Sequence, residues 1–411
     1  MPAGAVLDLV AKGGQDVYLT DKPDITLFKM QYRRYANFAV EAVQNTFNGN
    51  PDFGKRVQMT IARVGDLANQ AYLVTTLPAV TAAGSGASWV REVGHQLVKS
   101  VEFDVGGTTI DKHYAEWMTI WSSLTLRPGQ AAGYANMIGN ISTLTAAAGA
   151  SHVASAGQTI PAKLLHIPLQ FSWNRYAGMA LPLVALSQHE SKLTVEFRTF
   201  AELIRGAVTA VPNLGDTSIW IDYVYLQESE RQKFAMFPHE YLFEQLQALQ
   251  DESVPGTSSK IRLVLNHPVK ELYWFIRRDD AVDTSNRDHD WTNFTTVTSG
   301  ITGVNPIESA QLLLSGTPRF AERPGDYFRF VQPYQYHTNT PLEGLNCYSF
   351  AEHPEEYAPS GSCNFSKFDN VTLSLKLVSA MVGVACTCSV YALGYNVFRA
   401  ISGLGGIGFA A

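Results

Sequence analysis

The sequence predicts an all-β protein, on three observations. Aromatic residues make up 11% of the 411 positions, as 18 Tyr, 21 Phe and 7 Trp, and such residues favour the pleated, half-buried surface of a sheet. Turn formers are plentiful, with 32 Gly and 19 Pro. Short alternating or apolar runs bounded by turns recur along the chain, whereas helical spacing is rare, and that rhythm belongs to sandwiches and barrels.

Composition narrows the class. Hydrophobic residues at 46% and charged residues at 17% are the balance of an ordered protein with a substantial core, and the length suits two or three domains. With 31 basic and 37 acidic residues, net −6, there is no basic face or tail of the kind that coats DNA. The N-terminus lacks a basic stretch leading into a long apolar run, so synthesis in the cytosol is expected.

In chain order, strands are expected over Val57 to Arg63, Gln70 to Thr76, Leu97 to Val105, Leu164 to Trp173, Lys192 to Arg198 and Ser218 to Leu226. They resume over Ile261 to Leu265, Glu271 to Ile276, Ser309 to Leu314, Tyr327 to Val331, Asn346 to Phe350, Asn370 to Leu377 and Cys386 to Leu393. One helix is expected between the two groups, over Pro238 to Gln250, where Tyr241, Leu242, Leu246 and Leu249 fall at helical spacing. The uncharged stretch from Leu377 to Phe398 is long enough to span a bilayer, but its Ser, Thr and Asn residues and partial alternation fit buried strands with a bend at Gly383.

The two groups echo one another. SVEFDVGGT from Ser100 matches SAQLLLSGT from Ser309, each an apolar run closing on Gly-Thr. Phe171-Ser172-Trp173, Leu181-Pro182 and LTVEF from Leu193 are followed in the same order by Tyr348-Ser349-Phe350, Ala358-Pro359 and VTLSL from Val371. This is the signature of a duplicated β domain. The first copy is longer, and the excess maps to about 127–158, rich in Ala, Gly, Ser, Thr and Asn, which reads as a long surface loop.

Chemistry is sparse. No phosphate cradle, HExxH or GxSxG motif occurs, and the Gly-rich ISGLGGIGF near the C-terminus, whose GLGGIG has the spacing of a dinucleotide fingerprint, follows no suitable βα context. The ten histidines are dispersed, and acidic pairs such as Asp279-Asp280 and Glu355-Glu356 read as solvated loop charge. Cys347, Cys363, Cys386 and Cys388 form no CxxC pair, and the last two read as buried, inert thiols on one face of a strand. No catalytic residue, cofactor or metal site is expected. Four N-glycosylation sequons begin at Asn140, Asn293, Asn364 and Asn370, and without a secretory signal they read first as chance occurrences. Asn140, in the long loop, is the most exposed candidate, Asn293 the second, and Asn370, at a strand start, the least plausible.

Particular strings carry a resemblance. QDVYLT at Gln15, ITLFK at Ile25, YRRYANFA at Tyr32 and NGNPDFGK at Asn48 resemble the N-terminal signature of the major capsid proteins of nucleocytoplasmic large DNA viruses. ESERQKFAMFPHEYLFEQLQ from Glu228 is similar to that family's interdomain segment, and NHPVKELYW from Asn266 to the start of its second half. RFAERPGDYFRFVQPYQYHTNTP from Arg319, YSFAEHPEEYAPSGSCNFSKFDNVTLSL from Tyr348 and YNVFRAISGLGGIGF from Tyr395 extend the match to nearly the whole chain. It weakens between about Ala79 and Pro161 and around Asp279 to Asn305.

The resemblance implies two consecutive eight-stranded antiparallel jelly rolls with short connecting helices, and no enzymatic activity. It implies an N-terminal segment, 1–24, facing a capsid interior; a first jelly roll, 25–228, with its loop outermost; a connector, 229–259; a second jelly roll, 260–399; and a Gly-rich tail, 400–411. The implied function is a structural virion protein that forms homotrimeric, pseudo-hexagonal capsomers tiling an icosahedral shell, assembled in the host cytoplasm. Its implied partners are neighbouring capsomers, minor capsid and penton proteins and an inner membrane, with no sequence-specific nucleic acid. Tyr32, Arg33, Arg34 and Tyr35 are the candidate interface anchors, since Tyr and Arg are enriched at interfaces. An alternative from another class is a host-attachment or carbohydrate-binding β-sandwich protein, which would present an exposed aromatic platform.

Overall fold

The computed structural model describes residues 3–146, 152–254, 256–286, 288–298 and 303–409. The chain divides into a short N-terminal unit, Met1–Asn37, and a body, Phe38–Ala411. In the first unit the helix Ala3–Val10 and the single turn Val17–Thr20 lead into irregular chain, and its large apolar side chains, from Val6 to Tyr35, are exposed.

The body is built on two sets of eight strands. The first set is β1 (Phe38–Asn45), β2 (Arg56–Thr60), β3 (Leu67–Leu77), β4 (Val98–Val105), β5 (Thr108–Tyr114), β6 (Lys163–Pro168), β7 (Ser191–Phe197) and β8 (Thr217–Leu226). The second is β9 (His239–Ser253), β10 (Ser258–Leu263), β11 (Pro268–Arg278), β12 (Ile307–Leu314), β13 (Thr317–Pro318), β14 (Asn346–Ser349), β15 (Val371–Leu377) and β16 (Cys386–Ile401). In the first set the sheets run β1-β8-β3-β6 and β2-β7-β4-β5, and in the second β9-β16-β11-β14 and β10-β15-β12-β13. Adding eight to each number of the first pair gives the second. All these pairings are antiparallel. The chain is thus two consecutive jelly rolls, and the duplication read from the sequence is present strand by strand.

The echoing strings are equivalent hairpins. β4 turns into β5 with Val105 opposite Thr108, and β12 into β13 with Leu314 opposite Thr317. Each turn has two residues at positive φ, Gly106 and Gly107 in the first, Ser315 and Gly316 in the second. That is the backbone a tight hairpin needs to match strand twist, and glycine adopts it without a Cβ clash.

Each roll closes on its own core. Met59, Leu73, Val101, Leu193 and Ile219 lie in the first, and Leu263, Trp274, Leu312, Leu373 and Val390 in the second. The alternation of β3, buried at Ala71, Leu73, Thr75 and Leu77 and half-buried between, shows one face on the core. By contrast β11 is buried at every residue from Val269 to Arg277, so both of its faces are covered.

Several expectations are corrected. The helix expected over Pro238 to Gln250 is strand β9, and the helix lies just before it, at Glu228–Met236. Tyr327 to Val331, expected as a strand, is a π-helical turn running into the helix Gln332–Tyr336. The strand from Leu164 ends at Pro168, and Ser172–Arg175 is a helical turn. The 127–158 segment is more than a surface loop: it contains the helix Ala131–Ile138 and buries Ile138, Leu144 and Ala154, while residues 147–151 lie outside those described. A three-stranded sheet, of Val80–Trp89, Thr159–Ile160 and Ile204–Val208, was not anticipated. The bend at Gly383, with φ +73°, does separate β15 from β16. No helix among the described residues is long and apolar enough to cross a membrane. Beyond β16 the Gly-rich tail folds back as Leu404–Ile407, pairing Phe398 with Ile407.

Candidate functional site

The most elaborate chemistry in the molecule is at the junction of the two rolls. β5 runs straight into the helix Ala115–Thr125, whose Trp117, Ile120, Trp121 and Leu124 recur at the spacing of one helical face. That face packs on the outer side of the second roll, against Tyr273 and Phe275 of β11 and Tyr391 and Leu393 of β16, forming a third core between the rolls. Trp117 meets Tyr273 edge to face at 5.4 Å, and Phe275 lies 4.1 Å from the Phe294 ring.

Charge reinforces the contact. The Glu116 carboxylate, in the first turn of that helix, accepts from Arg198 of the first roll at 2.9 Å and from Arg277 of β11 at 3.2 Å. The indole of Trp291 lies 3.7 Å from the Arg198 guanidinium and 5.2 Å from that of Arg277. Burial alone would raise the Glu116 pKa, but the two guanidiniums outweigh it and hold it below the ordinary value. Further ties join Arg91 to Asp290 at 2.6 Å and Arg205 to Asp288 at 3.0 Å.

Two more ionic networks are buried beside the junction. Lys270 of β11, fully enclosed, pairs with Glu244 of β9, which Arg175 also reaches at 2.6 Å. His337 brings together what the sequence disperses: its Nε2 lies 2.5 Å from Glu271, its Nδ1 3.0 Å from Glu355, and Tyr273 donates to Glu271 at 2.7 Å. Burial would lower the His337 pKa, yet the Glu271 charge and the surrounding hydrogen bonds raise it to about 12. The imidazole is therefore charged and neutralises a carboxylate that would otherwise be stranded.

Glu271, His337 and Cys347 place their ligand atoms within 4.8 Å of one another, the group among the described residues that could hold a metal. Sequence spacing could not show it, because pairing of β11 with β14, Tyr273 opposite Cys347, brings Glu271 near Cys347, and His337 reaches them from the end of the helix Gln332–Tyr336. As arranged, His337 bonds Glu271 directly, and burial pushes the Cys347 thiol up to about 11, so it carries its proton. Cys386 and Cys388 are buried in the second core with pKa values raised by burial, as inert thiols would be.

The other candidates are scattered. Tyr32, Arg33, Arg34 and Tyr35 lie on the N-terminal unit, all exposed, before the first strand. Asn140 is half-buried with its carbonyl bonded to Thr145. Asn293 is 2% exposed and its amide donates to Val297 and Thr298, so it offers no acceptor for a glycan in the folded chain. Asn370, the least plausible from the sequence, is exposed, as is Asn364.

Comparison with known proteins agrees with this architecture. Residues 26–227 match the family described as major capsid protein N-terminus, and residues 230–406 the family described as large eukaryotic DNA virus major capsid protein. The chain is 38% identical to the major capsid protein of Phaeocystis pouchetii virus, over 99% of this chain and 100% of that one. It is 41% identical to that of Pyramimonas orientalis virus, over 99% of each, and 35% identical to that of Paramecium bursaria Chlorella virus 1, over 99% and 100%. Among solved structures, PBCV-1 VP54, fitted into a reconstruction of the virophage Sputnik, superposes with a TM-score of 0.80 at 31% identity, covering 94% of this chain and 100% of that one. The Faustovirus major capsid protein shares the fold, with a TM-score of 0.77 at 14% identity over 94% of each chain. Doubled jelly rolls, matched families over both halves and full-length relatives lead to one conclusion: the chain belongs to the major capsid proteins of large eukaryotic DNA viruses.

Proposed function

We propose that the chain is a structural building block, without a catalytic step, that self-assembles into trimers whose six jelly rolls make one near-hexagonal tile of an icosahedral shell. The junction carries this reading. Trp117 packed on Tyr273, and Glu116 held by Arg198 and Arg277, fix one roll against the other, so that each chain contributes a rigid two-roll unit. Three such units around an axis supply six lobes, and weak lateral contacts repeated over a shell add up through avidity.

The N-terminal unit is the proposed inward contact. Of the 31 large hydrophobic residues exposed among the described residues, 13 lie between Val6 and Tyr35, a concentration that suits burial against minor capsid or penton proteins or an inner membrane. Tyr32, Arg33, Arg34 and Tyr35 are its proposed anchors, with assembly in the host cytoplasm. Asn140 is kept as the proposed glycan site on the first roll. A net charge of −6 supports no role in reading nucleic acid.

Negative-stain imaging of the purified protein tests the proposal. Class averages with threefold symmetry and a hexagonal outline are expected. Monomers, or oligomers of another symmetry, would overturn it and favour a discrete attachment or carbohydrate-binding protein.

A further inference from the structure

Among the described residues one lysine is buried. Lys270 of β11 is 0% exposed, and its Nζ contacts the carboxylate of Glu244 on β9, 1% exposed. The two strands lie on either side of β16, two strand spacings or roughly 9–10 Å apart. Their side chains close that gap by crossing the Tyr395 ring: Tyr395 of β16 is paired with Glu244, and Lys270 Nζ lies 5.8 Å from the ring centroid. The β11–β16 register slips between Val269 and Glu271, which makes Lys270 the bulged residue, and bulges re-aim side chains.

Glu244 is gripped by the helical turn Ser172–Arg175 of the first roll. The Ser172 hydroxyl donates to the Glu244 carbonyl at 2.6 Å and accepts from its N–H at 3.0 Å. The Arg175 guanidinium, stacked on Trp121 at 4.3 Å, lies 2.6 Å from the carboxylate oxygen that Lys270 does not contact. Two cations therefore share one buried carboxylate, and only one of them can give up a proton. Arginine stays charged, whereas a buried lysine shifts readily to the neutral, nucleophilic amine. Burial lowers the Lys270 pKa against the pull of Glu244. Glu271, next along β11, is engaged by His337 and Tyr273, which leaves Glu244 as the carboxylate for Lys270. Arg175 also has Nε and Nη1 buried without hydrogen-bond partners, spare donors on the group that already faces the Glu244 oxygen.

We propose that the folded chain joins Lys270 to Glu244 through an isopeptide bond between Nζ and Cδ. A proton first passes along the contact from the ammonium to the carboxylate, giving amine and carboxylic acid. The nitrogen lone pair then attacks Cδ, and Arg175 holds the oxyanion of the tetrahedral intermediate. A second proton moves from nitrogen to the hydroxyl, which leaves as water while the carbonyl reforms. One C–N bond is made, one C–O bond is broken, and nothing is oxidised or reduced. A buried positive and a buried negative charge disappear together, and Arg175 keeps the amide oxygen as its acceptor. Each chain reacts once, so this is a maturation step without turnover. Its product is a covalent strut across β16, tying β9 to β11 at the point where the first roll grips the second.

The test is mass spectrometry of the purified full-length protein, fresh and after prolonged incubation under native conditions. Wild type is expected to be lighter than its sequence mass by one water. Trypsin should fail to cut after Lys270, and the digest should contain a branched peptide whose fragment ions place the bond between Lys270 and Glu244. Lys270→Met leaves Glu244 and Arg175 as a balanced pair, so this variant is expected to keep the wild-type near-ultraviolet circular dichroism spectrum and the full sequence mass. Arg175→Gln retains both reacting groups and is expected to link more slowly, on the order of a hundredfold. A folded wild type whose peptides containing residues 244 and 270 stay separate after incubation overturns the proposal, and so does a water loss that maps to any other pair. Linking of Arg175→Gln at the wild-type rate would overturn the role given to the guanidinium.

Discussion

Arg277 of the second roll and Glu116 of the first meet at 3.2 Å in a largely buried site, and the same carboxylate oxygen also takes Arg198 at 2.9 Å. Glu116→Ala leaves Arg198 without its carboxylate and Arg277 with the exposed Asp251 alone, at 3.4 Å. The expected cost is about 3–5 kcal/mol, because an uncompensated buried charge is far more costly than a lost surface pair. Urea denaturation gives the size, and calorimetry should split one transition into two as the rolls uncouple. One unshifted transition would show that the triad does not join them.

Trp117 is fully enclosed between the rolls, so Trp117→Ala removes one of the two tryptophans of the third core and leaves a cavity. A loss of about 3–5 kcal/mol is expected. Leu164→Ala, at an exposed position on β6, should change stability by less than about 0.5 kcal/mol in the same assay.

Stability should peak between the ordinary Glu and His values, 4.5 and 6.5. Glu116 and Glu355 have lowered pKa values in the fold, so their contribution is present above about 4.5 and is lost as acid protonates them. His337 has a raised value, so its contribution is full below 6.5 and declines as pH climbs toward 12, the unfolded chain having already released that proton. Urea midpoints at pH 6, 8 and 9.5 should fall for wild type and change less for His337→Gln. A flat wild-type series would mean the imidazole is not held charged.

Two glycines at almost the same φ should respond differently to alanine. Gly316, φ +82°, sits in the open β12–β13 turn, where a Cβ meets nothing within 4 Å. Gly316→Ala is expected to cost about 1 kcal/mol from backbone strain. Gly344, φ +85°, would place its Cβ 1.8 Å from the Phe294 carbonyl oxygen. Gly344→Ala should cost roughly 3 kcal/mol or more, or prevent folding. Equal melting shifts for the two would refute the packing argument.

What the sequence revealed, and what it hid, follows from how many surfaces each strand serves. The β4–β5 and β12–β13 hairpins were readable from SVEFDVGGT and SAQLLLSGT because each has one core face and a local turn signal. β9 carries helical spacing because Phe243 packs into the first core, Leu246 into the junction and Leu249 against the second. Three destinations along one strand erase the two-residue period. Tyr327–Val331 has strand-forming residues, but burial of Phe328 alone leaves Phe330 and Val331 outside, and tertiary context overrides propensity. The Glu116 triad and the His337 cluster draw on residues far apart in the chain, so no local spacing could have announced either.

The two-sided burial of β11 makes the fusion of the halves hard to undo. A second half cut free would show Tyr273, Phe275, Tyr391 and Leu393 to water at once, and the liberated first half would show Trp117 and Trp121. Restoring either as an independent protein would require repolarising an entire face, with each partial step leaving a sticky intermediate. Once the helix had settled on that sheet, duplication had become a commitment: two folds by topology, one heritable unit by surface chemistry.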